Sequence, residues 1–511
     1  MKDHLWIAAV LSNAFLPCYL QVVDTSDHHS GHVHGDRVAS HFSIKVVSDV
    51  FCGLTALARH RWIYRLLQVA FLEGLHALSI EALSPEEVMS LAKRAKQVLS
   101  PVLARYTELE IVAGGGCEVI AKDGKYYLDF ASGIGVASTG HCHPEVVAAI
   151  QLQASTLIHA GFGIMYYEKP VVLAEKLGAL LGKGLDSVFF CQSGTEAVEA
   201  AIKLAKYTTR KSKILAFQGG FHGRTLGALS LTTSKMTYRD GYEPLLPGVS
   251  FFPYPYCYRC PFGKERSSCD TTCIQDLQQF MDSQAGDVAA VIIEPILGEG
   301  GYTQAPIEFM QALRQMCTEK GILLILDEIQ SGFCKTGSWF GFQQLDIVPD
   351  ILTLAKGIAS GLPLGACVTN QELAQKWHKG AHGGTYGANP ITCAAAIATL
   401  DVLSTYVGDV DKKGQQAVLF LRESLATHPY VGDIRQWGLM IGIEFVLDKT
   451  SKTPAKALIK QIMATCLEQQ LILISCGIED NVIRLVPPLI ISEKQLMEGL
   501  GTFVRVCNQY V

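Results

Sequence analysis

Two short apolar runs that end in charged residues restrict the fold of this chain more than any other feature. The first, Ile322 to Leu326, is followed by Asp327 and Glu328, and the second, Ile351 to Ala355, is followed by Lys356. Each run is too short for a typical helix and has no polar face, so each predicts a strand buried on both sides. Charged residues at the carboxyl ends of such strands lie where open α/β sheets bind their ligands.

Lys356 is surrounded by residues that carry no charge. An apolar run precedes it, and glycines follow at positions 357, 361 and 365. Partial desolvation there would lower the pKa of the amine and favour its neutral, nucleophilic form. A lysine that forms a Schiff base and an aspartate that pairs with a pyridinium nitrogen are the groups that proteins contribute to pyridoxal phosphate chemistry. Alone, Asp327 would be interpreted as a helix cap and Lys356 as a surface lysine, but together they favour a cofactor site.

The composition predicts a large globular protein. A chain of 511 residues is long enough for two or more packed domains, and 49 % hydrophobic with 18 % charged residues argues against disorder. A net charge of −5 argues against a nucleic-acid partner, which would need a basic face. No apolar run reaches the ~20 residues that span a bilayer, so no membrane protein is expected. The 16 cysteines are scattered along the chain, which is typical of reduced thiols in the cytoplasm.

Residues 1–83 are predicted to form an N-terminal extension of unknown role. The segment Leu5 to Leu20 resembles the apolar region of a signal peptide, but it contains Pro17 and lacks a clear small-residue cleavage site. We therefore favour a cytoplasmic location, with an N-terminal targeting segment as the alternative. The segment Trp62 to Ala77 is expected to be helical. Four histidines either bind a transition metal or belong to a flexible linker, which is the preferred interpretation: His28, His29, His32 and His34.

Two turns that follow predicted strands carry further candidate residues. Ser187 to Gln192 is one such strand, and Ser193 to Glu196 leads from it into an amphipathic helix. Free amides and the dipole at a helix N-terminus favour an anion such as phosphate. Another strand leads into the turn Gly219 to Thr225, which contains Phe221 and Arg224. An arginine can hold a carboxylate through two parallel hydrogen bonds.

The motifs LILDEIQSGF and LAKG, in which Lys356 follows Asp327 by 29 residues (356 − 327), resemble the signature of class III pyridoxal-phosphate-dependent aminotransferases. SGTEA, GFHGRT and HGGTYGANP agree with it, and the resemblance extends from about residue 84 to the end of the chain. One departure is Lys335, where the family often has arginine. The lysine is expected to keep the positive charge.

The resemblance implies a particular α/β architecture, the fold-type I pyridoxal-phosphate transferase. A mostly parallel central sheet with helices on both faces would form a large domain, 151–400. The two flanking parts of the chain, 84–150 and 401–511, would together form a smaller α+β domain.

By the same resemblance, Lys356 forms the Schiff base with pyridoxal phosphate and moves a proton between substrate and cofactor, while Asp327 keeps the ring nitrogen protonated. Gln330 bonds the phenolic oxygen, and Phe221 covers the ring. Thr385 reaches the phosphate of the neighbouring subunit, which implies a homodimer with shared active sites or a tetramer built from it. The other cofactor-binding residues that the resemblance implies are Ser193, Gly194, Thr195, His222 and Glu294.

The resemblance also implies how substrates are held. Arg224 and Arg484 can bind both carboxylates of glutamate or 2-oxoglutarate, and Glu299 can neutralise Arg484 while a donor with a distant amine is bound. Ornithine-specific relatives carry tyrosine at the position of Ile134, whereas 4-aminobutyrate enzymes carry isoleucine. Arg224 argues against the alanine–glyoxylate branch of the family, which lacks this arginine.

These features favour a ping-pong transfer from an ω-amino acid, with 4-aminobutyrate as the best candidate, to the 2-oxo acid 2-oxoglutarate. Acetylornithine and other ω-amino acids remain open as donors. An amino-acid racemase or epimerase on the same fold also remains open, because it would use the same lysine. The interpretation from a different class is a non-catalytic binding protein with a vestigial site, and the intact Lys356, Asp327 and Arg224 argue against it.

Four cysteines lie close together in the proline- and tyrosine-rich segment Tyr254 to Cys273, with the spacing C-x2-C-x8-C-x3-C. Such a set could hold zinc or form disulfides, although the middle spacing is shorter than is usual in a zinc ribbon. Reduced cysteines in a surface loop are the preferred interpretation, so no metal is predicted. The four residues are Cys257, Cys260, Cys269 and Cys273.

Overall fold

The structure is a computed structural model that describes residues 3–26, 41–88, 91–182, 184–284 and 286–511. The chain forms two compact units, Met1–Glu110 and Ile111–Val511. The segment that contains His28, His29, His32 and His34 lies outside the described residues.

The first unit combines a three-stranded sheet with helices. Its second strand pairs antiparallel with the first and parallel with the third. The unit has a hydrophobic core of its own, in which Ile7, Leu11 and Phe15 are buried together with Phe42 and Ile44. Its elements are α1 His4–Phe15, β1 Tyr19–Asp24, β2 His41–Val47, α2 Ala56–Leu66, α3 Gln68–Leu72, β3 Ala77–Leu83, α4 Pro85–Val88 and α5 Leu91–Val98.

Two predictions for this part of the chain can be compared with the structure. The predicted helix over Trp62 to Ala77 is confirmed only as far as Leu72, because Gly74 turns the backbone at φ +112° and Ala77 begins β3. The apolar residues of the signal-like segment Leu5 to Leu20 do not form an exposed stripe. Several of them are buried in the core of the first unit.

The second unit contains the predicted buried strands. Its strands are β4 Ile111–Gly115, β5 Glu118–Ala121, β6 Tyr126–Asp129, β7 Ser187–Cys191, β8 Lys213–Phe217, β9 Val249–Phe252, β10 Val288–Ile293, β11 Ile296–Leu297, β12 Thr303–Gln304, β13 Leu323–Asp327, β14 Ile351–Leu354, β15 Gly365–Thr369, β16 Val431–Trp437, β17 Met440–Phe445, β18 Leu471–Ile472, β19 Ile474–Cys476 and β20 Val482–Leu485. Its helices are α6 Ser132–Gly135, α7 Pro144–Thr156, α8 Glu168–Leu181, α9 Gly194–Thr209, α10 Leu226–Leu231, α11 Thr272–Ser283, α12 Ile307–Lys320, α13 Gln371–Gln375, α14 Pro390–Ser404, α15 Val407–Ser424, α16 Lys456–Glu468 and α17 Glu493–Cys507.

The central sheet has seven strands in the order β7-β15-β14-β13-β10-β8-β9. Only β15 runs antiparallel to its neighbours, so the sheet is mostly parallel. Every residue of β10 and β14 is buried, because apolar side chains on both faces pack against other elements. The predicted fold-type I α/β architecture is confirmed.

Both flanking parts of the second unit contribute to its smaller sheets. The strand β18, from the C-terminal part, pairs in parallel with β6, which lies before the central sheet in the chain. The resulting sheet has the order β18-β6-β5-β4, and a further sheet has the order β16-β17-β20-β19. This arrangement brings β20, which carries Arg484, next to the central sheet's own loops.

No single helix in the described ranges is long and apolar enough to cross a membrane. The helices α14 and α15 pass such a test only as a pair, by length and composition, and they are bent by 63° at the break between them. Ten residues of α14 are buried within the second unit, as expected of a core helix.

Candidate active site

A cavity of about 380 Å³ lies at one edge of the central sheet. The strands β7, β8, β10, β13 and β14 run in the same direction, so their carboxyl ends meet at that edge, and the residues that follow them line the cavity. Open α/β sheets bind ligands in this position. The cavity brings together these predicted residues: Ser193, Gly194, Thr195, Phe221, His222, Arg224, Glu294, Glu299, Asp327, Gln330 and Lys356.

Asp327 and His222 form a buried pair in this cavity. The Nδ1 atom of His222 lies 2.8 Å from Oδ2 of Asp327, and Oδ1 accepts a hydrogen bond from the backbone N–H of Ile329 at 3.1 Å. Burial alone would lower the pKa of His222, but the hydrogen bond to Asp327 and the charge of that carboxylate raise it. The aspartate is thus fixed in one orientation by two donors.

Glu294 connects two backbone turns that form walls of the cavity. Its Oε1 accepts a hydrogen bond from the N–H of Phe221 at 2.8 Å, and its Oε2 accepts one from Gly298 at 2.8 Å. Burial raises the pKa of Glu294 to about 7, against the effect of the nearby His222. Its side chain therefore fixes the turn that carries Phe221 next to the loop that carries Glu299.

Lys356 follows β14 with its backbone in the left-handed region, at φ +46°. Burial and the positive charge of Arg484 lower the pKa of its amine to about 8, although Glu294, Asp327 and Glu299 oppose the shift. This is the direction that its uncharged sequence neighbours predict. Left-handed backbone recurs at other non-glycine residues of this region, namely Ile134 at +68°, Phe333 at +61°, Cys334 at +67° and Ser360 at +45°.

Lys335 is a second buried lysine close to Lys356. Its Nζ lies 3.4 Å from the carbonyl oxygen of Gly332, and burial followed by the charge of Lys356 lowers its pKa to about 7. Near neutral pH this pKa makes the charge of Lys335 less complete than that of an arginine, and the expected positive charge at this position stays a prediction. The main cause of the lowered pKa is burial, which the sequence motif alone did not reveal.

The start of α9 forms the polar end of the cavity. Ser193 caps this 16-residue helix by accepting a hydrogen bond from the N–H of Glu196, and Gly194 and Thr195 line the cavity. A Cβ atom on Gly194 would lie 2.8 Å from Cδ1 of Ile329, so a larger residue there would force the Ile329 side chain to move. The backbone amides at this positive end of the helix dipole are suited to a phosphate group.

Arg224 and Glu299 form the charged end of the cavity, and the buried Arg484 lies behind Glu299. The guanidinium of Arg224 lies over the ring of Tyr238, with its carbon 4.5 Å from the ring centroid. Arg484 Nη2 and Glu299 Oε2 are 3.0 Å apart, so the two residues that the resemblance linked across the sequence are in contact. Burial alone would raise the pKa of Glu299, but Arg484 and then Lys235 hold it below its usual value.

Three predicted residues lie outside this set of lining side chains, and one of them is Arg484, which contacts the lining residue Glu299. Ile134 is 45 % exposed, and Val136 lines the cavity in its neighbourhood instead. Thr385 lines an adjacent cavity of about 240 Å³, to which Gln192 also contributes. Sequence analysis did not identify Gln192 or Val136 as site residues, because neither belongs to a recognisable motif.

The lining residues fit pyridoxal phosphate. The Oε1 atom of Gln330 and the Nε2 atom of Gln192 are buried and have no hydrogen-bond partner among the described residues, so each can bond a polar group of a ligand. The helix start would hold the phosphate, Asp327 the ring nitrogen and Lys356 the aldehyde carbon. One cavity therefore offers an anion site, a carboxylate, a nucleophilic amine and two unsatisfied amide groups.

The four cysteines of the segment Tyr254 to Cys273 line a separate cavity of about 20 Å³. All four are free thiols of intermediate burial, and burial raises the pKa of Cys273 to about 11. Among the residues that the structure describes, no group of three or more His, Cys, Asp or Glu side chains is placed to hold a metal ion. The alternative of a zinc site remains a prediction from the spacing.

Comparison with models of protein families gives a different match for each of the two units. The model of the BolA-like protein family matches residues 11–87, within the first unit. The model of class-III aminotransferases matches residues 101–507, which is most of the chain. The sequence motifs had not identified the BolA-like similarity, because the first unit contains none of the chemistry-bearing patterns that mark the second.

Individual relatives of this chain agree with the match to class-III aminotransferases. The chain is 38 % identical to a probable 4-aminobutyrate aminotransferase of Bacillus subtilis, over 76 % of this chain and 91 % of that one. It is 39 % identical to an acetylornithine aminotransferase of Methanocaldococcus jannaschii, over 76 % and 91 % respectively. The solved structure of an amine transaminase from an uncultivated Pseudomonas species, in its pyridoxal-phosphate-bound form, superposes with a TM-score of 0.76 at 29 % identity, over 81 % of this chain and 98 % of that one.

The fold, the cavity and these similarities lead to one conclusion. The protein belongs to the class-III aminotransferases, enzymes that transfer amino groups with pyridoxal phosphate as cofactor.

Proposed function

We propose that the protein transfers the amino group of an ω-amino acid, with 4-aminobutyrate as the preferred donor, to 2-oxoglutarate. The observation that carries this proposal is the contact of Arg484 with Glu299, which lines the cavity together with Arg224. While Glu299 neutralises Arg484, Arg224 is the cation that remains for a carboxylate. A donor whose single carboxylate lies far from its amine suits that arrangement. Release of Arg484 from Glu299 then provides the second cation that a dicarboxylic acceptor needs.

The chain's own residues have distinct tasks in this reaction. Pyridoxal phosphate, when bound, supplies the electron sink that makes the hydrogen on the amine-bearing carbon acidic. Lys356 Nζ removes that proton and later returns one to the product side, and its pKa, lowered to about 8, increases the fraction of the amine in the basic form. Asp327, fixed by His222 and Ile329, presents its negative charge to the ring nitrogen. Arg224 fixes the distance between the carboxylate and the reacting carbon.

The donor is tested with purified enzyme that carries its cofactor. Addition of 4-aminobutyrate without an acceptor is expected to abolish the visible absorption band, and 2-oxoglutarate is expected to restore it with formation of glutamate. The kcat/KM for 4-aminobutyrate should exceed that for L-alanine at least about 10-fold, because alanine has no distal carboxylate for Arg224. A preference for N-acetylornithine would contradict 4-aminobutyrate as the donor but would still agree with an aminotransferase reaction. Inversion of an amino acid without consumption of 2-oxoglutarate would instead favour a racemase.

A homodimer is part of the proposal because Thr385 lies beside an exposed apolar surface. Asn389 Nδ2 donates to the carbonyl oxygen of Ile158 at 3.0 Å, so the segments around these residues are packed together. They expose Ile158 (64 %), Tyr166 (92 %) and Tyr386 (63 %) to solvent. Exposed apolar groups of this size are typical of an interface with another chain. We infer that a second copy covers them and receives Thr385 near its phosphate site.

Mixing an inactive variant with one of reduced activity tests whether Thr385 acts on the partner's site. One chain carries Lys356→Ala and the other carries a Thr385→Val change that lowers activity. Random exchange of subunits should restore about a quarter of the wild-type activity, because about half of the dimers are mixed and each mixed dimer has one intact site. Absence of any gain over the unmixed variants would mean that Thr385 serves its own subunit or none. The exchange itself is followed with differently tagged chains.

The cytoplasm is proposed as the location. All 16 cysteines are free thiols, which suits a reducing compartment.

A further inference from the structure

Glu299 is held by more than its ion pair with Arg484. Its Oε2 is 3.0 Å from Nη2 of Arg484, whereas its Oε1 is 3.1 Å from Nζ of Lys235 and accepts a hydrogen bond from the hydroxyl of Tyr238 at 3.1 Å. The two oxygens are thus divided between two cations. If Arg484 turned away, one oxygen of Glu299 would keep both of its partners.

Lys235 is itself fixed in place. It forms a second ion pair with Asp480, and Asp480 is 2.6 Å from Nζ of Lys456. The turn that carries Asp480 also holds the backbone of Glu299, since the N–H of Gly477 donates to the Glu299 carbonyl oxygen at 2.8 Å. Charges therefore alternate from Arg484 through Glu299, Lys235 and Asp480 to Lys456.

The position of Lys235 makes its charge effective. Its side chain is 14 % exposed and that of Glu299 is 12 % exposed, so water screens the pair only weakly. Burial alone would lower the pKa of Lys235, but Glu299 and the hydrogen bond with Asp480 raise it above its usual value. Lys235 therefore keeps its charge throughout the range in which the enzyme works.

We propose that Lys235 is a positioning residue that allows the site to accept dicarboxylates, because it compensates the charge of Glu299 when Arg484 binds a substrate carboxylate. This inference rests on the proposed alternation between a donor with one carboxylate and an acceptor with two. A buried carboxylate that loses its only cation pays a large desolvation penalty. Because Lys235 stays beside Glu299, the carboxylate keeps a cation when Arg484 moves away from it. Separation of Glu299 from Arg484 therefore does not incur this desolvation penalty.

The effect of removing Lys235 follows from this division of charge. Without it, Glu299 would depend on Arg484 alone, and the pair would be harder to separate. Dicarboxylates, which need Arg484, should bind more weakly. Ligands with one carboxylate leave the pair closed and should be unaffected. Removal of a purely structural lysine would weaken both classes together.

Binding of two matched acids to the cofactor-loaded enzyme tests the inference without turnover. Glutarate has two carboxylates on five carbons, and pentanoate has one on the same chain length. For Lys235→Met we expect the Kd of glutarate to rise about 10- to 100-fold in calorimetric titrations, with the Kd of pentanoate changed less than about 2-fold. Lys235→Arg should restore glutarate binding. Lys456→Met is the control, because Lys456 is 54 % exposed and its ion pair is with Asp480 rather than Glu299.

In steady-state kinetics, the Lys235→Met change should affect the two half-reactions differently. In Lys235→Met, kcat/KM for 2-oxoglutarate should fall by a similar factor while kcat/KM for 4-aminobutyrate stays near the wild-type value. Equal loss for glutarate and pentanoate, or no loss for either, would overturn the role of Lys235. The same holds if wild-type enzyme binds glutarate no more tightly than pentanoate. If glutarate binding behaves as expected but 4-aminobutyrate is not a donor, the proposed donor fails and the role of Lys235 stands.

Discussion

Replacing Lys356 by alanine is expected to lower kcat by about 10⁴-fold or more, because the amine that serves as both nucleophile and general base is removed. We expect kcat to fall because the amine is missing and not because the variant unfolds. Burial holds the pKa of this amine down to about 8, which means that the folded protein gains nothing from its charge. Thermal unfolding of the variant should therefore occur at or above the wild-type temperature. Single-turnover absorbance with 4-aminobutyrate measures the rate, and calorimetry measures the unfolding.

Two comparisons separate the amine of Lys356 from its bulk and charge. Lys356→Arg keeps a long cationic side chain but has no group that can be deprotonated at working pH, so it should be as inactive as the alanine variant. A small primary amine added to Lys356→Ala should restore part of the rate by occupying the space left by the side chain. Residual activity above about 1 % in the alanine variant without added amine would contradict the assigned role.

Asp327→Asn is expected to lower kcat by about 10²- to 10⁴-fold with little change in the overall structure. The amide is nearly the same size as the carboxylate and can still accept from Ile329, but the negative charge that favours a protonated ring nitrogen is lost. The charge of Asp327 also raises the pKa of His222, so the pKa of that histidine should fall in the variant. The absorption spectrum of bound cofactor and the kcat of the donor half-reaction measure the effect, and NMR titration measures the histidine.

The neighbouring carboxylate provides a matched control for Asp327. Glu328 is fully buried, but it faces away from the cavity and accepts hydrogen bonds from the N–H groups of Gly341 at 2.7 Å and Phe342 at 2.6 Å. Burial raises its pKa to about 7. Glu328→Gln should therefore change stability more than catalysis. An equal loss of kcat in both variants would mean that the charge of Asp327 has no special part in the reaction.

The sequence was sufficient to predict those site residues that directly follow a recognisable buried strand. The apolar runs that end at Asp327 and Lys356 are strands of the predicted kind, and both residues reach the same cavity because parallel strands end at one edge of a sheet. The contact of Glu299 with Arg484 was expected only from the family resemblance, since nothing local connects them. The first unit was not recognised as a folded body, because its core is built from ordinary apolar residues without a motif.

The site residues and pKa values that the sequence did not predict depend on contacts between segments that are far apart in the chain. Lys235, Tyr238 and Asp480 have no pattern in common, and they meet only because a turn after α10 and a turn before β20 both reach Glu299. The lowered pKa of Lys335 has the same kind of origin. A motif preserves the type of residue, whereas its pKa depends on how deeply the finished fold buries it.

The left-handed backbone at Phe333, Cys334 and Lys356 has a consequence for how this enzyme can change. Each such residue costs about 1 kcal/mol or more relative to a relaxed conformation, and the rest of the fold must supply that free energy. Selection for heat resistance alone would favour relief of this strain, for example through glycine at Cys334, whereas selection for turnover keeps the geometry that places the amine. Thermostable descendants that remain active should therefore accumulate substitutions in the surrounding helices and sheet and leave this segment strained.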